Sequence, residues 1–338
     1  MYVIHAANVR DALPKALRYI LHTGEKEKTR NGDAWVCQIP VTIRYEFPKQ
    51  HVLINHIRDA NPFFHLMEAM WMLAGRDDGE FLDFYVKDFS KLYGNYGRIM
   101  DAYGYRWKYG LGHGNQLTEI IQQLRRTPNT RQAVLQMWGA GREDLFTETA
   151  KPCNLVVTFR IQNNGLQMTV FNRSNDLIWG CCGANAVHFP IMQEYVASML
   201  GIGVGVYWQI STNLHLYIDH LSMLQKRIRP SEDLYVALRN TFDYEGTQSL
   251  IEYPETFDEE LQETMAWVDK IHGNGEIYSG NISNSFLGQV VLPMAQAHYL
   301  YKKKEIAGAL EVMEKVIAED WRKAGTEWIK RRSYDKSQ

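Results

Sequence analysis

The residues able to do chemistry in this 338-residue chain gather between positions 153 and 217. Cys153 follows Pro152 and opens a run in which Leu155, Val157, Phe159 and Ile161 alternate with other residues. Asn164-Gly165 interrupts the run, and Leu166, Met168 and Val170 alternate again. Asn-Gly between alternating runs is a strong hairpin signal. Arg173, Ser174 and Asp176 end the second strand, Asn185 follows Trp179-Gly180, and His215 and Tyr217 follow a further strand at 206–211. Strand ends are where a scaffold presents polar side chains to a cleft.

Such a set permits several chemistries. An ionised thiol is a nucleophile. Cys153 with His215 also suits a Cys-His hydrolase, but no local protease signature surrounds the cysteine. Cys181, Cys182 and His188 raise metal binding; no second ligand pair stands at finger-like spacing, so no metal is expected. Each residue also has an ordinary explanation. A lone Cys is more often a buried hydrophobe, Arg173 and Asp176 can be a surface ion pair of little worth, and His215 and Tyr217 can be satisfied residues at a strand end. The order of the pieces carries more than any one of them.

The elements that must position them read as follows. Residues 8 to 22 form an amphipathic helix, and 35 to 47 one strand, with Val36, Ile39, Val41, Ile43 and Tyr45 apolar. Asn61-Pro62 starts a helix over 63 to 73 that Gly75 stops, and Glu68 is the one acid inside it. Residues 116 to 125 form a helix with Leu117, Ile120, Ile121 and Leu124 on one face; 133 to 138 form a short buried strand. Pro190 near the start of 191 to 200 signals another helix. From Leu292 onward the pattern is helical, ending in the basic run Lys330-Arg331-Arg332. Strands and helices without regular alternation indicate α+β. With no repeat or linker, a single domain over 1–338 is expected, with 285–338 as an added C-terminal helical segment.

A net charge of −2 gives no general attraction to nucleic acid or anionic membrane. No apolar run approaches the ~20 residues of a membrane helix. Four cysteines, two of them adjacent, fit reduced thiols in a cytoplasm better than a disulfide framework, and no signal peptide is visible.

Taken in order, Pro152-Cys153, then Asn172-Arg173-Ser174-Asn175-Asp176 with Gly180 four residues on, then Asn213-Leu214-His215-Leu216-Tyr217, resemble the thymidylate synthase family. The family pattern is Pro-Cys-His, Gln-Arg-Ser-x-Asp-x-x-x-Gly and Asp-x-His-x-Tyr. Upstream, the segment from His65 to Gly75 resembles the helix that carries the family's glutamate, here Glu68. Tyr103-Gly104-Tyr105-Arg106-Trp107 resembles its Tyr-Gly-x-x-Trp, and Pro128-Asn129-Thr130-Arg131 the segment that lends a phosphate-binding arginine to the partner subunit. Arg30 matches the mobile phosphate arginine. The resemblance spans about residues 10 to 220.

It implies a large mixed β-sheet with helices on one side, paired sheet to sheet in a homodimer with Arg131 acting in trans. It implies one-carbon transfer to C5 of a pyrimidine nucleoside monophosphate, with 5,10-methylenetetrahydrofolate as co-substrate and no metal. Cys153 would add to C6 and make C5 nucleophilic. Arg173 would lower the thiol's pKa and, with Arg30 and Arg131, clamp the phosphate. Glu68 would manage protons through ordered water, Asp176 would hold the pterin, Asn185 would read the base edge, and His215 and Tyr217 would bind the 3′-hydroxyl. Tyr103 joins Cys153, Glu68 and Asp176 in the catalytic set.

The chain departs from the standard pattern where water and base are controlled. Asn154 replaces His, Gln132 a second arginine, and Asn172 the Gln before Arg173. The Gly-x-Pro-Phe-Asn segment is Gly180-Cys181-Cys182-Gly183-Ala184-Asn185, Phe89 stands near the position of a folate-covering Trp, and the C-terminal ending is polar. These changes resemble the hydroxymethylase branch, in which water rather than hydride meets the exocyclic methylene. The alternatives are a true thymidylate synthase and a non-catalytic nucleotide- or RNA-binding member that uses Lys330 to Arg332. Uracil and cytosine both remain open, since the Asn185 amide fits either when turned over. Ser174 leaves little room for a 2′-hydroxyl, which favours a deoxyribonucleotide.

Overall fold

A computed structural model of the chain describes residues 1–338 apart from 96, 111, 113, 140–150, 240–246 and 335–338. The polar ending from 335 on thus lies outside the described residues. The strands, in chain order, are β1 (Tyr2–Ala6), β2 (Glu25–Thr29), β3 (Gly32–Val36), β4 (Val41–Tyr45), β5 (Gly94–Asn95) and β6 (Arg98–Ile99). They continue with β7 (Val134–Gln136), β8 (Asn154–Gln162), β9 (Gly165–Asn172), β10 (Asn175–Asp176), β11 (Gly203–Ser211) and β12 (Leu214–Tyr217). The chain divides into two compact units built from discontinuous segments. The first comprises Met1–Ala60, Leu111–Thr147 and Pro152–Phe242; the second comprises Asn61–Gly110, Glu148–Lys151 and Asp243–Gln338.

The first unit holds a six-stranded mixed sheet in the order β1-β4-β11-β9-β8-β7 and a four-stranded sheet, β10-β12-β3-β2. Alternation sets its faces, because successive side chains of a strand point to opposite sides. Val157, Phe159, Leu166, Met168, Val170 and Tyr207 are buried on one face. The helices Val9–Thr23 and Asn185–Leu200 pack on the sheet. The latter is buried along nearly its whole length, and its Gln193 Nε2 donates to the Leu166 carbonyl at 2.7 Å. Val134 and Phe171 on the sheet remain partly exposed.

Three local expectations are corrected here. The strand read over 35 to 47 is two, β3 and β4, in different sheets. Gln38–Pro40 breaks it, and Pro40 has no N–H to continue a ladder. The hairpin turn is Asn163-Asn164, with φ of 52° and 55°, and Gly165 already pairs with Gln162. Asn tolerates this left-handed conformation better than most residues. The helix after Pro190 starts earlier, at Asn185, with Pro190 inside it.

In the second unit the helix Pro62–Ala74 is the hub. Asn61 Oδ1 accepts from Phe64 N at 3.1 Å, Pro62 takes the first turn, and Gly75 ends the helix at φ 78°. The helices Phe257–Asn274, Leu292–Lys302 and Glu319–Tyr334 pack against it. Within the basic run, Arg331 pairs with Glu327 at 2.9 Å and Arg332 lies 4.6 Å from the Trp328 ring. No helix among the described residues is long and apolar enough to cross a membrane.

Candidate active site

Cys153 sits one residue before β8, and Arg173 one residue after β9. The antiparallel pairing of these strands brings Asn154 opposite Asn172, so Cys153 and Arg173 meet at the sheet's end. Arg173 N donates to the Cys153 carbonyl and Arg173 Nε to the Pro152 carbonyl, both at 2.9 Å. The guanidinium therefore lies against the backbone of the cysteine's own segment. The register shifts between Asn154 and Val156, placing a bulge at Leu155, whose carbonyl accepts from both Met137 N and Trp138 N. A bulge re-aims the adjoining side chains, which is why bulges gather beside active sites.

The four cysteines are unbridged and differ sharply in setting. Cys153 is half-buried. Burial pushes the Cys37 thiol up to about 11. A hydrogen bond with Cys182, then burial, holds Cys181 well above the ordinary thiol value.

Asp176 and His215 stand side by side because β10 runs parallel to β12. Burial lowers the His215 pKa, against the opposing pull of Asp176, and its Nδ1 lies 3.1 Å from Asn213 Oδ1. Burial therefore favours the neutral imidazole, which suits hydrogen bonding rather than binding a charge. Tyr217 packs edge-on to His215, and its Oη accepts from Asn31 Nδ2 at 3.5 Å. That contact draws in the turn between β2 and β3, which carries the exposed Arg30. Ser174 is partly buried between β9 and β10.

Asp176 also caps the wide turn Leu177–Ala184. Its Oδ1 accepts from Ile178 N at 3.0 Å and Trp179 N at 2.6 Å. Its Oδ2 faces His220 Nδ1 at 3.2 Å, while His220 Nε2 accepts from the Trp179 indole N–H at 2.8 Å. One tautomer satisfies both contacts, with the proton on Nδ1. The result is an indole that is 49% exposed yet rigidly held, a flat surface suited to stacking a planar ring. Below it Arg58 is fully buried, donates to the Ile178 carbonyl at 2.6 Å and lies 4.9 Å from the Trp179 ring. A side chain at Gly183 would meet the Ile178 carbonyl at 2.6 Å and Arg58 at 2.9 Å, so the turn requires glycine there.

Asn185 starts its helix buried, its amide bonded to Asn154 and Asn175. Sequence reasoning missed Trp179, His220, Arg58, Asn175 and Gln209. His220 follows Tyr217 by one helical turn, a faint signal; nothing local marks Gln209.

Arg131 is placed differently. It is exposed and precedes β7, which runs antiparallel to β8 with Val134 opposite Thr158. Extending that register puts Arg131 some eight residues, roughly 25 Å, along the sheet from Cys153 of the same chain.

Glu68 and Tyr103 belong to the second unit. Burial, helped by Asp101, raises the Glu68 carboxyl to about 8. Such a carboxyl is protonated at neutral pH yet within reach of ionisation, as a proton-transfer group needs. Tyr103 opens a short turn whose Gly104 abuts the helix Pro62–Ala74; a Cβ there would collide with the Met72 carbonyl.

The mixed sheet, the cysteine at its end and the arginine paired with it define a member of the thymidylate synthase family of one-carbon transferases. The chain belongs to that family, whose profile matches residues 12–251. It is similar to a deoxyuridylate hydroxymethyltransferase of Pseudomonas phage M6, at 37% identity across 98% of this chain and 95% of that protein. It is also similar to a deoxyuridylate hydroxymethyltransferase of Bacillus phage SP01, at 36% identity across 53% of this chain and 50% of that one. The helices from Phe257 on lie beyond the matched family segment.

Proposed function

We propose that the protein hydroxymethylates dUMP at C5, with methylenetetrahydrofolate as co-substrate. The observation that carries the reading is the pairing of Cys153 with Arg173 at the joined ends of β8 and β9. The names of the two phage relatives support the base and the product. Cys153, as thiolate, adds to C6; Arg173 favours the ionised form and binds phosphate together with Arg30. The addition makes C5 nucleophilic, and the folate supplies the methylene that C5 takes up. Removal of the C5 proton and loss of tetrahydrofolate, whose departing nitrogen takes up a proton, leave an exocyclic methylene. Water adds its oxygen there, a proton is released, and the C6–S bond breaks to give 5-hydroxymethyl-dUMP. Atoms balance as dUMP, methylenetetrahydrofolate and water to 5-hydroxymethyl-dUMP and tetrahydrofolate, with no oxidation of the folate. Glu68, with Tyr103, handles the protons.

The residues present suit a folate. Trp179 offers an exposed, rigid ring, and the Asp176 carboxylate beside it suits a pterin's amino and amide N–H groups. His215 and Tyr217 suit a sugar 3′-hydroxyl. Arg131 serves the phosphate of a second protomer, because the strand register carries it away from its own Cys153. A sheet-to-sheet homodimer would cover Val134 and Phe171. Unbridged cysteines fit a cytoplasmic enzyme. The test is product mass and folate oxidation state after incubation with dUMP, dCMP or CMP; a methylated product with dihydrofolate returns the chain to the methylating branch.

A further inference from the structure

Asn185 is wired to a backbone carbonyl through a chain of buried amides. Gln209 Nε2, on β11, donates to the Cys181 carbonyl at 3.1 Å. A carbonyl only accepts, so Gln209 Oε1 must point the other way. That oxygen accepts from Asn175 Nδ2 at 2.6 Å, and the same nitrogen donates to Ser211 Oγ at 3.0 Å. Asn175 Oδ1 is thereby turned toward Asn185, whose Nδ2 donates to it at 3.1 Å. Asn185 Oδ1 is left facing Asn154, whose Nδ2 donates at 3.3 Å. Asn154, Asn175, Asn185 and Gln209 are all at most 7% exposed. The loop is shaped around the chain: a Cβ at Gly180 would lie 2.6 Å from Asn175 Oδ1. Each link dictates the next, so one carbonyl fixes the polarity of four amides.

The consequence concerns the base. The Asn185 carboxamide keeps one N–H and one oxygen lone pair beyond the relay. Uracil offers N3–H and O4; cytosine offers N3 and an amino N–H, the same positions with opposite polarity. An amide free to turn over matches both. A locked amide matches one and sets like against like for the other.

We propose that Asn175 and Gln209 are positioning residues that set base selectivity, holding the Asn185 amide in a single orientation so that dUMP is taken and dCMP refused. The inference rests on the reading of Asn185 as the base-edge residue. It deepens that reading by assigning the choice of base to two residues behind the site.

The test compares kcat/KM for dUMP and dCMP in the wild type, Asn175→Leu and Asn175→Asp, with side-chain amide exchange followed by NMR in the ligand-free enzyme. Asn175→Leu removes the acceptor that faces Asn185; Asn175→Asp keeps one there. The dUMP:dCMP ratio should fall ~10-fold or more in the Leu variant, mainly through gained dCMP turnover, and return to within ~3-fold of wild type in the Asp variant. A folded Leu variant with an unchanged ratio overturns the proposal, as does a ratio lost equally in Leu and Asp. If Asn175→Leu does not fold, Gln209→Met removes the anchor instead and carries the same expectation. The exchange arm needs no substrate: the wild-type amides of Asn175, Asn185 and Gln209 should be protected. Exchange at surface rates counts against the relay. Protected amides in an enzyme that turns over neither nucleotide support the relay and count against the functional reading.

Discussion

The backbone N–H of Arg173 donates to the carbonyl of Cys153 at 2.9 Å. The two stand twenty positions apart in sequence, and the β8–β9 pairing closes that loop on a cysteine and a cation. Cys37 and Cys181 have the reverse setting: burial pushes the Cys37 thiol up, and a hydrogen bond with Cys182, then burial, raises Cys181. A 5-fluorinated dUMP with methylenetetrahydrofolate should therefore trap a covalent complex on Cys153 alone. Cys153→Ser should lower turnover by at least ~10³, while Cys37→Ser and Cys181→Ser should still form the adduct. Peptide mapping that places the adduct on Cys181 or Cys182 would overturn the assignment.

Arg131 should act across subunits. Cys153→Ser and Arg131→Ala are each expected to be inactive alone. Mixed and exchanged at random, half of the dimers are hybrids with one intact site of two, so activity should recover to about a quarter of wild type. A fully active monomer in sedimentation, or no recovery after proven exchange, contradicts this.

Glu68 should govern the alkaline side of the pH profile. Its carboxyl is raised from 4.5 to about 8, chiefly by burial. It stays protonated at neutral pH, and the rate should fall as pH rises through about 8. Because the folded state holds this proton more tightly than the unfolded chain, its stabilising contribution is full below 4.5 and is lost as pH rises through about 8. Glu68→Gln should lower kcat by ~10² or more and abolish both trends. A wild-type alkaline limb that persists unchanged in Glu68→Gln assigns it to another group.

Gly104 should tolerate no side chain. A Cβ would collide with the Met72 carbonyl, and that atom is helix backbone that cannot swing away. Gly104→Ala should cost more than ~2 kcal/mol in denaturant unfolding. A variant of wild-type stability would show that the Tyr103 turn can move off the helix.

What was legible in the sequence was local. Asn61, Pro62 and Gly75 announce both ends of their helix, and alternation around 155–170 announces the hairpin, because caps and period-2 patterning act over a few residues. The motif order picks out Cys153, Arg173 and Asp176, which the β8–β9 and β10–β12 pairings place at strand ends. The pause at Gln38–Pro40 is masked in the sequence because apolar residues continue across it. In the helix Phe257–Asn274 the buried Phe257, Leu261, Met265 and Val268 recur at intervals of four, four and three, a helical spacing on a segment with no motif to mark it. The amide relay was out of reach altogether. Gln209, Asn175 and Asn185 meet only through the packing of β11, β10 and the helix Asn185–Leu200, and an isolated Gln in a strand carries no mark of its partner.

The fate of the exocyclic methylene is tested most directly by running the reaction with dUMP and methylenetetrahydrofolate in oxygen-18-labelled water. The account predicts 5-hydroxymethyl-dUMP carrying the label, released with tetrahydrofolate and without the absorbance of dihydrofolate. Unlabelled dTMP formed with an equal amount of dihydrofolate would contradict it.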